Sequence, residues 1–541
     1  MTKRNGSSFI KQAAILAFAG IIVRIIGFLY RLPLTNMIGD TGNGIYSAGY
    51  YIYTFLLILS SAGLPAAISK MVSERIALNE YKNAHKVFKV SLLVSSSLGF
   101  IFMIIMYIFA KPISNIVKSP DSYWCIVSLS PTLFIVAIMS AYRGYFQGMN
   151  TMVPTSISQI VEQVFNAIFS VYLAYIFLKI GVSDGEKNIV LGAAGGTVGT
   201  GIGALAGLII MIVSYFLIRK EIKKRIFNEK HKYRIDKNIN IFLTLMRTAI
   251  PIITGTAIFS ITNLADMIMV MDRLNIAGFS YDESLVLYGQ LSGKYVTLTT
   301  LPVSITTAMA TATIPSIAAS LKLNEKEVLK NKMSLTFKIA MILSIPSAIG
   351  IGVLGSPIIK MLFPKADDGG ALLTVGSISI IFLALCQIIT GILQGIGSLD
   401  IPVKGALLGA IVKIILNYFL IANPRINVLG AVISTTACYM VASFYNIKSF
   451  TNITKVKFNY TQSIIKPLIA STIMGIICIV VYKLSIMILL GNNISTIISI
   501  IFGIFSYALI LIFIRGIREE ELSYIPMGGR IKKLLKRFNL V

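Results

Sequence analysis

The turn FQGMNTMVP, Phe146 to Pro154, returns later in the chain as LQGIGSLDIP, Leu393 to Pro402. In both copies a Gln-Gly pair ends an apolar segment, and a proline opens the next one at the first-turn position that proline favours in helices. GLPAAIS at 63–69 has an echo in TIPSIAA at 313–319. A third match joins a charged residue to an asparagine four positions on: Glu162 and Asn166, then Lys413 and Asn417. All three matches are displaced by about 250 residues, which indicates an internal repeat.

The segments around these turns are long and apolar. Hydrophobic residues make up 55% of the 541 residues, charged residues make up 13%, and the mean hydropathy is +0.80. Runs of about 20 apolar residues, enough to cross a bilayer core of about 30 Å, recur from end to end. We therefore predict an all-α polytopic membrane protein with fourteen spans, at 9–30, 45–69, 87–110, 121–146, 153–178, 189–218, 244–271, 285–317, 334–359, 371–396, 402–421, 428–447, 467–490 and 495–514.

The repeat divides these spans into six plus six, with two more at the end. An even number of spans per copy keeps the copies parallel, so a pseudo-two-fold axis along the membrane normal should relate them, as in some transporters. The predicted domains are an N-lobe of helices 1–6 (1–218), a basic cytoplasmic linker (219–243), a C-lobe of helices 7–12 (244–450), helices 13 and 14 (451–514) and a basic cytoplasmic tail (515–541).

The net charge of +27 follows the predicted topology. If the loops alternate between two sides, the side that holds the N-terminus carries most of the 49 lysines and arginines. The positive-inside rule makes that side cytoplasmic. We predict a multi-pass protein of the cell membrane with both termini in the cytoplasm, and we attribute the basicity to topology rather than to nucleic-acid binding.

The sequence does not favour an enzyme. There are two histidines, His85 and His231, both in predicted cytoplasmic loops, and no phosphate-binding loop, nucleophile elbow or zinc-ligand spacing. The four cysteines all lie inside predicted spans and are read as small apolar residues. We therefore predict no catalytic residue, no cofactor and no metal site.

Charged residues at membrane depth are the candidate functional residues. GIIVRIIGFLYRLPL, Gly20 to Leu34, is apolar except for Arg24 and Arg31. A charge at the centre of a bilayer costs about 2.5–3.5 kcal/mol and usually faces a cavity or another charge. The other central charges are Glu162, Asp266, Lys294 and Lys413, whereas Arg31, Arg143, Arg247 and Asp272 are nearer span ends, where snorkelling to the interface is an alternative.

A cavity lined by arginine and lysine favours an anion. Arginine binds phosphate oxygens in a bidentate manner, and lysine adds a point charge. Tyr46, Tyr50 and Tyr53 lie on one face of the second predicted span. They form either an aromatic belt at the membrane interface or a stripe that faces a sugar.

RIIGFLYRLPLTNMIG at 24–39, GLPAAISK at 63–70, the two Gln-Gly turns and the fourteen-span plan resemble the MurJ-type lipid II flippases. Within these, the chain is most similar to the branch of stage V sporulation protein B and YtgP, in the multidrug/oligosaccharidyl-lipid/polysaccharide (MOP) exporter superfamily. The resemblance implies alternating access by two lobes around a cationic cavity, and a groove beside helices 13 and 14 for a polyprenyl tail.

The resemblance also implies site residues. The family uses arginines of helices 1, 2 and 8 to bind a diphosphate. The helix 1 motif maps onto Arg24 and Arg31, and the helix 8 charge maps onto Lys294. This chain departs from the family at helix 2, because 45–69 contains no arginine. Some members bind sodium through helices 7, 11 and 12, but helix 11 here offers Lys413, which argues against a sodium site.

The repeat suggests partners for the central charges. We predict two intramembrane ion pairs of reversed sign, each beside a repeated asparagine: Arg24 with Glu162 near Asn166, and Asp266 with Lys413 near Asn417. In the second pair Lys413 would take the place of sodium. In the first pair Glu162 would release its arginine when a diphosphate arrives.

We expect a flippase that carries an undecaprenyl-diphosphate-linked peptidoglycan precursor, lipid II, across the membrane for synthesis of the cell wall (and so for cell shape) or of the spore cortex in sporulation. The partners would be this polyprenyl-diphosphate-linked saccharide and the bilayer, and we expect a monomer. The first alternative is export of another lipid-linked oligosaccharide, such as a teichoic acid, capsule or exopolysaccharide unit. A multidrug exporter would favour a cavity rich in carboxylates, and a non-transporting assembly factor would not require charges at membrane depth.

Overall fold

The computed structural model describes residues 2–516 except 181–187, 230–232, 323–325, 399, 457 and 489–490. The predicted basic tail therefore lies, from residue 517 onward, outside the described residues. Within the described ranges the chain forms helices and no strand. The α-helices are α1 (Thr2–Leu57), α2 (Leu64–Ala77), α3 (Tyr81–Ile108), α4 (Ala110–Ile116), α5 (Tyr123–Gly148), α6 (Val153–Phe177), α7 (Ile189–Phe227), α8 (Asn238–Ile276), α9 (Tyr281–Gly289), α10 (Val296–Lys322), α11 (Lys326–Val353), α12 (Gly355–Leu362), α13 (Gly370–Gly376), α14 (Ser379–Gly395), α15 (Asp400–Leu420), α16 (Leu429–Thr454), α17 (Lys466–Met487) and α18 (Gly491–Phe513).

The all-α membrane fold is confirmed. Within the ranges given above, nine helices are long and apolar enough to cross a membrane, or ten if the bent pair α13 and α14 is one span. Each of the fourteen predicted spans overlaps one or two of the described helices in chain order. π-Helical segments at Ile58–Ala62, Gln290–Tyr295 and Thr461–Ile465 interrupt or precede the long helices.

The largest difference from the predicted spans lies in α1. The predicted spans at 9–30 and 45–69 leave residues 31–44 as a loop. Instead the helix continues through Pro33 and bends at Gly39, whose φ of 69° and ψ of −171° are accessible to glycine. The chain thus reverses direction at a kink, and the residues after the kink form the second span.

The two copies of the Gln-Gly turn have the same backbone. In the first copy Asn150 is left-handed (φ 58°), and the amides of Thr151 and Asn150 donate to the carbonyls of Phe146 and Gln147. In the second copy Gly397 is left-handed (φ 86°). There the amides of Ser398 and Gly397 donate to the carbonyls of Leu393 and Gln394. Both are Schellman helix ends, which agrees with the repeat in the sequence.

Glycines next to these turns make equivalent contacts. A Cβ on Gly144 would lie 2.8 Å from the Cβ of Ile68, so α5 packs closely against α2. A Cβ on Gly391 would lie 2.9 Å from the Cβ of Ala310, so α14 packs equally closely against α10. The helices that pack against these glycines, α2 and α10, carry the similar segments 63–69 and 313–319.

The chain divides into two compact units, Met1–Gly293 (the first unit) and Lys294–Val541 (the second unit). In the first unit α6 packs along α7, and α3 packs along α5. The second unit has a core of α10, α11 and α14, extended by the stacked rings of Phe337 and Phe458, whose centroids are 4.1 Å apart. The domain boundaries predicted from the repeat stay a prediction.

The predicted linker contacts the loop between α2 and α3. The carboxylate of Glu229 accepts hydrogen bonds from the backbone amides of Tyr81 (2.7 Å) and Lys82 (3.3 Å), at the start of α3. Arg75 on α2 forms a salt bridge of 2.6 Å with Asp236. A negative charge at a helix N-terminus is favourable, so Glu229 caps a helix to which it is not adjacent in sequence. The linker is therefore part of the first unit.

Candidate functional site

A tyrosine stripe lies inside the first unit, on the part of α1 that follows the Gly39 kink. The rings of Tyr46 and Tyr50 stack with centroids 5.8 Å apart, and Tyr53 follows at 5.8 Å from Tyr50. Tyr46 is 1% exposed and Tyr53 is 4% exposed. This burial excludes a lipid-facing aromatic belt for these two rings. The stripe is an internal feature of the first unit, and its role toward a sugar stays a prediction.

Arg31 lies at one end of the stripe. Its guanidinium carbon is 5.3 Å from the centroid of the Tyr46 ring, a cation–π contact. The contact is possible because the kink at Gly39 returns the chain past the residues that precede it. Arg31 therefore contributes a positive charge to an aromatic surface inside the bundle.

Glu162 and Arg143 form an ion pair at the other end. Nη2 of Arg143, on α5, lies 2.6 Å from Oε2 of Glu162 on α6, and it also donates to Oγ of Ser158 at 3.0 Å. The two charged side chains are 16% and 28% exposed. The helix that carries the stripe, α1, packs against both α5 and α6, which carry the pair.

This pair corrects two sequence interpretations. Snorkelling to an interface was one alternative for Arg143, but its side chain is 16% exposed and binds Glu162. Glu162 was expected to pair with Arg24, whereas the structure pairs it with Arg143, and the exposed Arg24 has no ion pair among the described residues. We refer to Arg31, the three tyrosines, Glu162 and Arg143 together as the polar path.

The repeated asparagines join neighbouring helices. Oδ1 of Asn166 accepts hydrogen bonds from Ser170 (2.8 Å) and from Thr200 on α7 (3.4 Å). In the second unit Oδ1 of Asn417 accepts a hydrogen bond from Ser434 on α16. Each asparagine thus links its own helix to the next helix in the chain, a packing contact typical of membrane bundles.

Lys294 is fully buried in the second unit. Its ammonium donates to the carbonyls of Ala366 (2.6 Å) and Asp368 (2.9 Å), and it lies 5.8 Å from the Phe363 ring centroid. It therefore fixes the loop between α12 and α13. A role in diphosphate binding stays a prediction, and it would require the ammonium to leave these carbonyls.

The remaining predicted residues are Asp266 and Lys413. Asp266 is partly buried on α8, and Lys413 is 5% exposed on α15. Their predicted pairing stays a prediction. No three acidic, histidine or cysteine side chains of the described residues are grouped as metal ligands.

An apolar groove of 390 Å³ lies beside α17 and α18 in the second unit. Its walls come from α10, α11, α17 and α18, and include Ile342, Pro346, Met474, Ile500 and Tyr507. Few polar groups line it, so the groove is suited to hydrocarbon.

Comparison with known proteins identifies the family. The model of the family described as polysaccharide biosynthesis protein matches residues 9–321, more than half of the chain. The chain belongs to that family. The MatE family model matches residues 293–419.

Individual relatives confirm the resemblance read from the sequence. Stage V sporulation protein B of Bacillus subtilis (strain 168) is 25% identical, over 97% of this chain and 99% of that protein. The lipid II flippase MurJ of the same strain is 28% identical, over 81% of this chain and 82% of its own. A solved structure of lipid II flippase MurJ in an inward closed conformation has a TM-score of 0.67 at 16% identity, covering 93% of this chain and 99% of that one.

These findings place the chain in the MOP superfamily, with a MurJ/MATE-like fold. It is a multi-pass membrane protein, and its relatives confirm a transporter rather than an enzyme. Sequence reasoning missed Arg143 as a site residue. The available signal was its position four residues before Gln147, across a short turn from Glu162 on the next helix.

Proposed function

We propose that this family member is a flippase that carries an undecaprenyl-diphosphate-linked saccharide across the cytoplasmic membrane, with lipid II as the first candidate. The observation that carries the proposal is the polar path: two arginines joined by three tyrosines inside an apolar bundle. Guanidinium groups bind phosphate oxygens, and tyrosine rings with hydroxyls suit sugars. Buried charges of this kind are costly in a membrane and mark substrate pathways.

The groove beside α17 and α18 supports a lipid substrate. A polyprenyl chain needs an apolar surface while its diphosphate and sugars occupy a polar one. The 390 Å³ groove lined by Ile342, Met474 and Ile500 offers such a surface. Its volume accommodates part of the tail only, so the rest of the chain would stay in the bilayer.

The site residues follow from this proposal. Arg24, Arg31 and Lys294 would bind the diphosphate at different stages of alternating access, and Lys413 would pair with Asp266 in place of a bound sodium ion. Both termini would be cytoplasmic, as the loop charges indicate. The protein would act as a monomer with the N-lobe, linker, C-lobe and helices 13–14 at the boundaries predicted from the repeat.

Transport of another lipid-linked saccharide is the second candidate. The matched family is described by polysaccharide biosynthesis rather than by peptidoglycan alone. The polar path would contact features that all such substrates share, phosphate and sugar, and neither feature selects the glycan.

Complementation separates the two candidates. The gene would be expressed in cells depleted of their own lipid II flippase, and lipid II on the outer leaflet would be measured by its accessibility to an externally added lipid II-cleaving toxin. We expect growth and toxin-accessible lipid II, and an Arg31→Ala variant should restore neither. Lipid II that stays in the inner leaflet, together with restored export of teichoic acid or capsule in the matching mutants, would favour the second candidate.

A further inference from the structure

We propose that Arg143 and Ser158 form a second phosphate-binding position, at the end of the tyrosine stripe opposite Arg31, and that Glu162 occupies this position until a phosphate group arrives. The inference rests on the proposed function, because it assigns a further substrate-binding residue to the same path. It gives Arg143 a role that neither the repeat nor the span pattern predicts.

The hydrogen bonding of Arg143 leaves donors unused. Both of its hydrogen bonds leave from Nη2, to Glu162 at 2.6 Å and to Ser158 at 3.0 Å. Nε is buried and has no hydrogen-bond partner. A guanidinium has five N–H donors in a planar fork, and its strongest contacts use two of them in parallel. The edge formed by Nε and Nη2 is therefore half occupied by the carboxylate.

A phosphate group would use this edge better than Glu162 does. Two phosphate oxygens can accept from Nε and Nη2 together, and a third can accept from the Ser158 hydroxyl. Glu162 offers one oxygen to one nitrogen. Because a buried N–H without a partner is costly, satisfying Nε favours the exchange of carboxylate for phosphate.

The surroundings allow the exchange. Glu162 is 28% exposed, so its carboxylate has room to move away. The part of the first unit that carries Tyr50 and Tyr53, α1, packs against both α5 and α6. A phosphate bound to Arg143 would thus lie at one end of the tyrosine stripe, and Arg31 lies at the other end.

The two arginines would act in sequence. Tyr46 and Tyr53 are seven residues apart on a helix, which is about 10 Å along the axis. The turn after Arg143 is predicted to be cytoplasmic, and Arg31 follows the first span, on the predicted outer side. Arg143 would therefore receive the phosphate group first, and Arg31 would receive it later.

Binding of undecaprenyl diphosphate to the purified full-length protein tests this assignment. We expect Arg143→Gln to weaken binding roughly tenfold or more, since it removes a bidentate charge-assisted contact. Glu162→Gln should strengthen binding several-fold, because it removes the competing carboxylate. Arg143→Lys should lie between wild type and Arg143→Gln. Arg225→Gln and Glu221→Gln, which break an exposed ion pair on α7, are the matched controls and should bind like wild type.

The sign of the Glu162→Gln effect is decisive. A purely structural pair predicts that Glu162→Gln and Arg143→Gln both lower thermal stability and both weaken binding, and that result would overturn the proposal. If Arg143→Gln does not fold, the double variant Arg143→Gln with Glu162→Gln is tested in its place. It should bind more weakly than Glu162→Gln alone, and equal binding would contradict the assignment.

The same measurement separates this inference from the proposed function. A wild-type protein that does not bind undecaprenyl diphosphate would contradict both. A wild-type protein that binds it, with an Arg143→Gln variant that folds and binds equally well, would contradict the role of Arg143 alone.

Discussion

Glu162 in the first unit and Lys413 in the second occupy equivalent places but differ in charge. Each precedes by four residues an asparagine that accepts a hydrogen bond from the following helix, Thr200 with Asn166 and Ser434 with Asn417. Four residues before the Gln-Gly turn the first unit has Arg143, and the second has Thr390. The helical hairpins share their turns, glycine contacts and asparagine contacts. Their charges differ: Glu162 is matched by a lysine, and Arg143 is matched by an uncharged threonine.

This difference separates scaffold from function. The contacts that the units share are small residues and backbone geometry, which let helices approach each other. The features that differ are ionisable side chains inside the membrane, which a scaffold does not require. The charged positions of the two hairpins are therefore where the two halves of the transporter diverge in task.

The largest expected effect comes from removing one charge of the first hairpin. Arg143→Leu leaves Glu162 without its partner, and loss of one member of a buried pair costs about 3–5 kcal/mol. Because Glu162 is 28% exposed, we expect the lower end of this range. Thr390→Val, at the equivalent place in the second hairpin, should cost about 1 kcal/mol or less. Reversible unfolding of the purified protein measures both, and equal losses would contradict the comparison.

Much of the scaffold could be predicted from the sequence, because its signals are local. Apolar runs indicate spans, and the Gln-Gly turn encodes a helix end that depends on a few adjacent residues. The helical conformation through Pro33 could not be predicted, since proline disfavours a helix interior and tertiary packing decides. The partners of Lys294 also could not be predicted, because Ala366 and Asp368 are more than 70 residues away.

For the candidate site, the sequence indicates which charges lie at membrane depth but not which groups they contact. Membrane depth alone indicates that Arg24, Glu162 and Lys413 need a compensating environment. It does not indicate which charge faces which. The repeat suggested Arg24 for Glu162, but rotation about the helix axis decides, and α5 presents Arg143 instead.

A charge exchange between Asp266 on α8 and Lys413 on α15 has the next largest expected effect. Asp266→Lys and Lys413→Asp should each lower folding yield and transport. If the two residues pair, the double exchange should restore both properties above either single variant. Transport by the wild type should be the same in sodium and in potassium buffers, because Lys413 would replace a cation. A double variant no better than the singles, or transport that stops without sodium, would contradict the pairing.

Arg31 and Lys294 are both predicted to bind phosphate, and their replacement should affect stability and transport differently. Lys294→Met leaves the carbonyls of Ala366 and Asp368 without this donor, which should cost about 1–3 kcal/mol of stability. Arg31→Met loses a cation–π contact worth about 0.5–2 kcal/mol. We expect Arg31→Met to be nearer wild type in melting temperature but to abolish transport. If Arg31→Met still transports, Arg31 does not bind the substrate.

The smallest expected effect tests the shared part of the hairpins. Asn166→Ala and Asn417→Ala each remove an acceptor for a hydroxyl on the following helix. Measured hydrogen bonds between membrane helices average about 0.6 kcal/mol, since the freed groups find other partners. We expect losses of that size, equal in the two units to within a few tenths of a kcal/mol, because the contacts are equivalent. Steric-trapping measurements of unfolding in bilayer mimics resolve the difference. A loss of stability in one unit only would show that the two asparagines contribute differently, although they occupy the same place in the sequence repeat. The asparagine contact could then not be counted as scaffold that both units share.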